Sequence, residues 1–184
     1  MEAKNPQTGD FIKLLSLRKC QLKQIPEEVS EFKECKRLDL AQNQLKEFPI
    51  NVTQIFSLTK LDLRSNQISS LPEEFALLVN LDEIWLENCT FKEFPTALAK
   101  LPKLEYLWFD GNQVASGTIP SDCLLPSVKT ASFVECGLKD LGGITNWKTL
   151  ENLFLSKSKN LQRIPTIAKT GCKRVCYWGI ACWN

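Results

Sequence analysis

Apolar residues recur along this chain in one compact pattern, LxxLxLxxNxLxxLP, at a nearly constant spacing. Within each copy the second and third apolar positions alternate with period two. They are Leu15/Leu17, Leu38/Leu40, Leu61/Leu63, Ile84/Leu86, Leu107/Phe109, Ala131/Phe133 and Leu153/Leu155. That period is the mark of a short strand with one buried face. Pro26, Pro49, Pro72 and Pro95 lie 23 residues apart, Pro120 follows after 25 and Pro165 after 45, the length of two copies. The pattern therefore yields seven units, starting at Ile12, Cys35, Leu58, Leu81, Leu104, Val128 and Leu150. A fixed period of this length predicts a solenoid of parallel strands, each burying its leucines against its neighbours. After the proline, apolar residues fall three apart, as Val29/Phe32, Val52/Ile55, Phe75/Leu78 and Leu98/Leu101. That spacing predicts a helical turn opening on proline as its first residue. Glu27/Glu28 and Glu73/Glu74 would sit at its positive end.

The stretch Leu58 to Leu78, LTKLDLRSNQISSLPEEFALL, resembles the leucine-rich repeat superfamily in its 23-residue class with the Leu-Pro step. The resemblance runs over residues 12–165, about five-sixths of the chain. It implies an α/β solenoid with a curved parallel sheet on the concave side and short helical or 3-10 turns on the convex side. Residues 1–11 are then a short lead-in, and 166–184 a cysteine- and aromatic-rich C-terminal cap. Members of this repeat class inside cells are mostly protein-binding scaffolds and regulatory subunits, so the likeness implies a protein partner.

Three repeats depart from the pattern. The fifth gains Gly117 and Thr118 before Ile119-Pro120, and the sixth carries Gly142-Gly143 where proline is expected. The seventh, LENLFLSKSKNLQRIP, has one extra residue before Leu161, a variation that resembles plant-type repeats.

Asparagine belongs at the ninth position, where its amide satisfies buried backbone groups of adjacent turns. The positions read Cys20, Asn43, Asn66, Cys89, Asn112 and Cys136, with Asn160 the shifted candidate in the last unit. Cys20, Cys89 and Cys136 are expected as reduced core thiols. At about 4.8 Å per strand, Cys20 and Cys89 lie roughly 14 Å apart and Cys89 and Cys136 roughly 10 Å, too far for disulfides. Cys35 and Cys123 also read as core. Cys172, Cys176 and Cys182 remain in the tail, TGCKRVCYWGIACWN. A packed cap built from Val175, Tyr177, Trp178, Ile180 and Trp183 is favoured there over a docking tail, a disulfide or a zinc site.

Composition narrows the function more than the fold. With 23 Lys plus Arg against 21 Asp plus Glu, the formal charge of +2 gives little support to a phosphate-contacting nucleic-acid binder. Histidine is absent, which removes histidine-assisted nucleophiles, histidine metal sites and an imidazole pH switch. There is no glycine-rich phosphate loop or paired-acid motif, so no enzyme or cofactor is expected. Eight cysteines in 184 residues fall below the density of a disulfide-built scaffold. No stretch reaches the roughly 20 apolar residues of a membrane helix. The polar start is a poor signal peptide, and for a complete chain that implies a cytoplasmic or nuclear address.

The superfamily resemblance points the variable strand positions outward on the concave side. Trp85, Trp108 and Tyr106 then form an aromatic patch flanked by Glu83, Glu87 and Asp110, with Phe154 further along. Toward the N-terminus the same face is basic, with Arg18, Lys19, Arg37, Lys60 and Arg64 tempered by Asp39 and Asp62. Outward aromatics are what interface hot spots are made of. The bland alternatives are a Trp85–Trp108 cross-strand pair and a solvated charged face. Two other roles stand beside the protein-binding module. One is an extracellular recognition module, given the acceptor triplets at Asn51 and Asn88. The other is a structural subunit of a larger assembly, inviting another chain onto its open first strand.

Overall fold

The computed structural model of the chain describes residues 10–162 and 172–176. Among the described residues, eight three-residue strands form one open parallel sheet in sequence order. They are β1 (Leu14–Ser16), β2 (Arg37–Asp39), β3 (Lys60–Asp62), β4 (Glu83–Trp85), β5 (Tyr106–Trp108), β6 (Thr130–Ser132), β7 (Asn152–Phe154) and β8 (Arg174–Cys176). In each repeat the strand takes the third to fifth positions, and the register never slips: Leu38 pairs with Leu61, Leu61 with Ile84, and Ile84 with Leu107.

This register follows from the pleat. The middle residue of each strand is the fourth repeat position, and a slip of one would turn that leucine outward. Leu38, Leu61, Ile84, Leu107, Ala131 and Leu153 are fully buried, while Leu15 and Val175 on the outermost strands are half-buried. The strand count exceeds the seven units read from the leucine pattern. β8 falls inside the stretch expected as a cap, with Val175 beside Leu153 and Cys176 beside Phe154. Of the tail residues assigned to that cap, Tyr177, Trp178, Ile180 and Trp183 lie outside the described residues, as do Cys182 and Pro165.

The return path uses 3-10 helices at Glu27–Glu31, Ile50–Gln54, Glu73–Leu77, Thr96–Lys100 and Gly142–Asn146. Proline sits one residue ahead of the helix rather than at its first position. Its carbonyl accepts the opening hydrogen bond: Val52 N–H donates to Pro49 O at 3.0 Å and Phe75 N–H to Pro72 O at 3.1 Å. Nothing is lost by the missing proline N–H, which the first turn would leave unpaired. Val29, Val52, Phe75 and Leu98 point from these turns into the core.

In the sixth repeat Leu141, not the glycine pair, takes the proline's place, its carbonyl accepting from Ile144 N–H at 3.0 Å, and Gly143 inside the helix answers a close approach. A Cβ on Gly143 would lie 2.4 Å from Ile119 O and 2.7 Å from Pro120 O, the stretch that follows the fifth-repeat insertion. That insertion turns at Gly117 (φ +67°), and Thr118 bridges to Asp140.

The asparagine ladder closes each turn. Asn43 accepts from Cys20 N–H (3.1 Å) and Leu22 N–H (3.0 Å), and donates to Leu17 O (2.9 Å) and Leu40 O (2.8 Å). Asn66 and Asn112, one and three coils further on, each accept one backbone N–H and donate to two carbonyls. Cys89 donates to Leu63 O (3.4 Å), and Cys136 has Phe109 O at 3.1 Å and Val134 O at 3.6 Å as acceptors. Burial pushes the Cys89 thiol up to about 12 and raises Cys136 as well, so both stay protonated in the ladder.

Two ladder assignments change. Ser158, buried and donating to Phe133 O, takes the last rung, and Asn160 is exposed. Cys20 is exposed rather than core, because it lies in the first coil. Cys35 and Cys123 are buried, as read from the sequence. Trp147 is a core residue that the repeat pattern did not reveal. It is fully buried, donates from Nε1 to Cys123 O at 2.9 Å, and packs on Phe94 and Phe133.

Candidate functional site

Strand positions three and five lie on the sheet face opposite the leucine core, and positions seven and eight form its rim. All ten residues singled out from the sequence occur there: Arg37, Lys60, Arg64, Glu83, Trp85, Glu87, Tyr106, Trp108, Asp110 and Phe154. Trp85 and Trp108 are half-buried and Tyr106 is exposed, so none of the three belongs to the core.

The aromatics find partners other than each other. The Trp108 ring stacks on Phe154 across an intervening strand, with centroids 6.3 Å apart and planes inclined by 27°. Ser132 on β6 makes this contact sterically accessible: a small side chain lies between β5 and β7, and it is 2% exposed. Trp85 instead has two guanidinium groups near its ring, Arg37 at 5.3 Å and Arg64 at 5.8 Å from the centroid. These are cation–π distances, each contributing about 0.5–1 kcal/mol at a half-exposed site.

The charges are paired rather than simply solvated. Arg64 holds Asp62 bidentately, with Nε at 3.0 Å from Oδ1 and Nη2 at 2.7 Å from Oδ2. This fork explains how Asp62 is 0% exposed: a buried carboxylate is tolerated when matched by a bidentate guanidinium. Glu83 links three strands. It takes Lys60 Nζ at 2.7 Å on one oxygen and Trp108 Nε1 at 3.2 Å on the other. Its hydrogen bond raises Lys60 above the ordinary lysine value. The face is therefore preorganised by its own residues, and Trp108 is held by both a ring and a carboxylate.

Glu87 and Asp110 sit at the rim beside a cavity of about 300 Å³ lined by Arg18, Gln42, Arg64, Ser65, Glu87, Asn88 and Asp110. Burial pushes Glu87 up to about 7, against the opposing pull of its own backbone N–H and of Arg64, and with further elevation from Asp110 and Asp62. Burial also raises Asp110, offset by its hydrogen bonds with Ser132 and with Val134 N–H at 2.8 Å. Beneath the rim, the eighth position of the first seven repeats is left-handed: Lys19, Gln42, Ser65, Asn88, Gly111, Glu135 and Lys157 all have φ between +53° and +75°. Only one of these is glycine, so the turn is imposed on the others at a cost of about 1 kcal/mol apiece.

The two acceptor triplets differ in setting. Asn51 donates its amide to Pro26 O at 2.9 Å and Thr53 is buried, which folds that triplet into the coil. Asn88 is exposed. Among the described residues, no helix is long and apolar enough to cross a membrane.

Known proteins give a consistent picture of the fold. A family model described as Leucine Rich Repeat matches residues 57–78. No curated protein matches the chain. The chain is similar to the leucine-rich repeat domain of the type III effector XopL, at 23% identity and a TM-score of 0.74, over 90% of this chain and 58% of that one. It is also similar to a leucine-rich repeat protein of Leptospira interrogans, at 23% identity and a TM-score of 0.66, over 83% of this chain and 46% of the other. Internalin C2 of Listeria monocytogenes matches at 19% identity and a TM-score of 0.68, over 90% and 80%. The chain thus spans about half the length of the first two. With one matched repeat and a parallel sheet that pairs coil by coil, this chain has the leucine-rich repeat fold. Stacked repeats of this fold present extended surfaces.

Proposed function

We propose that the chain is a non-catalytic interaction module, a scaffold or accessory subunit, that holds a protein partner on the outward face of its sheet. The observation that carries this reading is the set of large aromatics, Trp85, Tyr106, Trp108 and Phe154, kept outside a core that already holds phenylalanine in the second to sixth coils. Aromatic anchors of this kind, fixed in place before binding, lose little conformational entropy when a partner covers them. Arg37, Lys60, Arg64, Glu83, Glu87 and Asp110 surround them and set the polarity a partner must match. The address we assign is cytoplasmic. Its support is that Cys89 and Cys136 serve the ladder as buried thiols, each donating to a backbone carbonyl, a role suited to a reducing compartment.

The test is affinity capture from native lysate with the wild-type chain beside Trp85→Ala/Trp108→Ala. Partner recovery is expected to vanish while the thermal midpoint moves by only a few degrees, since both side chains lie outside the core. Undiminished capture by the folded double variant would refute this assignment.

A further inference from the structure

The rim cavity has an electrostatic deficit. Among the described residues, Glu87 Oε2 is the only buried side-chain nitrogen or oxygen without a hydrogen-bond partner. Leaving such an acceptor unmatched is costly, and natural folds rarely do so without a reason. The nearest cation is already committed. Arg64 spends Nε and Nη2 on Asp62, and its Nη1 stands 3.6 Å from Glu87 Oε1, beyond hydrogen-bond range. Asp110 faces Glu87 from the next coil and lines the same cavity. Arg18, three coils back from Glu87, is exposed at the opening, and the buried Cys89 thiol beside Glu87 is neutral. Three carboxylates, Asp62, Glu87 and Asp110, thus meet two guanidiniums, one of them bound to Asp62 through two of its three nitrogens and reaching Glu87 only at 3.6 Å.

Resting on the proposed protein-binding role of the sheet face, we infer that the partner inserts a lysine or arginine side chain into this cavity, donating to Glu87 Oε2 and facing Asp110. A neutral donor would satisfy the oxygen but leave the excess negative charge in place. A cation answers both, and charge-assisted hydrogen bonds are the stronger kind. The cavity adjoins Arg64, which also flanks Trp85, so the inserted cation and the aromatic patch are read by one continuous surface.

The inference predicts proton release on binding. With the free carboxyl titrating near 7, a bound cation returns it toward the ordinary glutamate range. Cation binding is then about tenfold weaker at pH 6 than at pH 8, because the glutamate must first lose its proton.

The experiment titrates the full chain, isotopically labelled, with the peptides Ac-GGGXGGG-NH2, X being Arg, Lys or Gln, and follows backbone amide shifts by NMR at pH 6 and pH 8. The expected result is saturable shifts at Glu87, Asn88 and Asp110 with the Arg or Lys peptide and none with Gln. Affinity falls about tenfold at pH 6, and both effects are lost in Glu87→Gln with an otherwise unchanged spectrum. The stronger of the two peptides identifies the head group. Equal shifts with Gln, no localised shift at all, a flat pH response, or undiminished binding by Glu87→Gln would overturn the proposal. These outcomes are independent of the tryptophan test: binding by the peptide alongside unimpaired capture by Trp85→Ala/Trp108→Ala refutes the aromatic face and leaves the cation site standing.

Discussion

Asn66 offers a direct measure of how much the ladder contributes to holding the solenoid together. Its side chain accepts from Leu45 N–H at 3.1 Å and donates to Leu40 O at 3.0 Å and Leu63 O at 2.9 Å. All three partners belong to buried residues in the middle of the described coils. Alanine here strands one N–H and two carbonyls where water does not reach. At about 1 kcal/mol net for each lost bond, the loss comes to about 3 kcal/mol, more if relaxation is poor. Cysteine should cost less, because Cys89 and Cys136 occupy equivalent positions and each donates to the carbonyl of the preceding coil. Asn66→Cys is therefore expected to destabilise by about 1–2 kcal/mol and Asn66→Ala by about 3 kcal/mol. Urea denaturation followed by tryptophan fluorescence and far-UV circular dichroism measures both. The slope should be compared alongside the midpoint, since coils detaching separately would lower it. If the two variants are equally stable, or Asn66→Ala costs less than about 1 kcal/mol, the amide contributes little, and the account of the ladder fails.

Other consequences are simpler to state. Glu87 has a folded value of about 7 against about 4.5 in the unfolded chain, so the native state holds the extra proton between these values. Its contribution to stability is therefore unfavourable above pH 7 and disappears below about pH 4.5; after a discount for partial exposure, Glu87→Gln should stabilise the fold by about 1–2 kcal/mol at pH 8 and by much less at pH 5, measured by urea midpoints. Gly143→Ala drives a methyl group into the Ile119 and Pro120 carbonyls and should cost about 2 kcal/mol or more in the same assay. Iodoacetamide with peptide mapping should label exposed Cys20 in the native chain, and Cys89 and Cys136 only after unfolding, since these are buried and held as thiols.

The fold was largely legible from sequence because one constraint is repeated in every coil. The leucine at position four selects the strand register, and the 23-residue proline spacing sets where the chain turns back. What escaped depends on contacts between coils rather than on pattern within one. β8 was hidden because its run, CKRVC, offers only Val175 as a leucine equivalent and follows the preceding unit after 22 residues. Trp147 looked like an ordinary residue of an irregular repeat, yet it reaches Cys123 and Phe94 in earlier coils. Ser158 takes the last rung because it keeps the ninth position, whereas the asparagine two residues later is on the surface.

The candidate face was legible in its membership and not in its pairing. Alternation together with the repeat resemblance put Trp85 and Trp108 outward. That Trp108 would stack on Phe154 depends on Ser132 being small, and that Asp62 would be sealed by Arg64 depends on a guanidinium folding back two residues along the chain. Side-chain length and rotamer decide such contacts, and periodicity carries no information about either.

The strong contacts between elements run only from one coil to the next. A chain built this way has no built-in stopping point, and its length can drift by whole coils without disturbing the rest. The aromatic and ionic side chains from β2 to β7 form one linked set, free to persist while coils beyond either end are added or lost. Specificity and size are, in this molecule, separately adjustable.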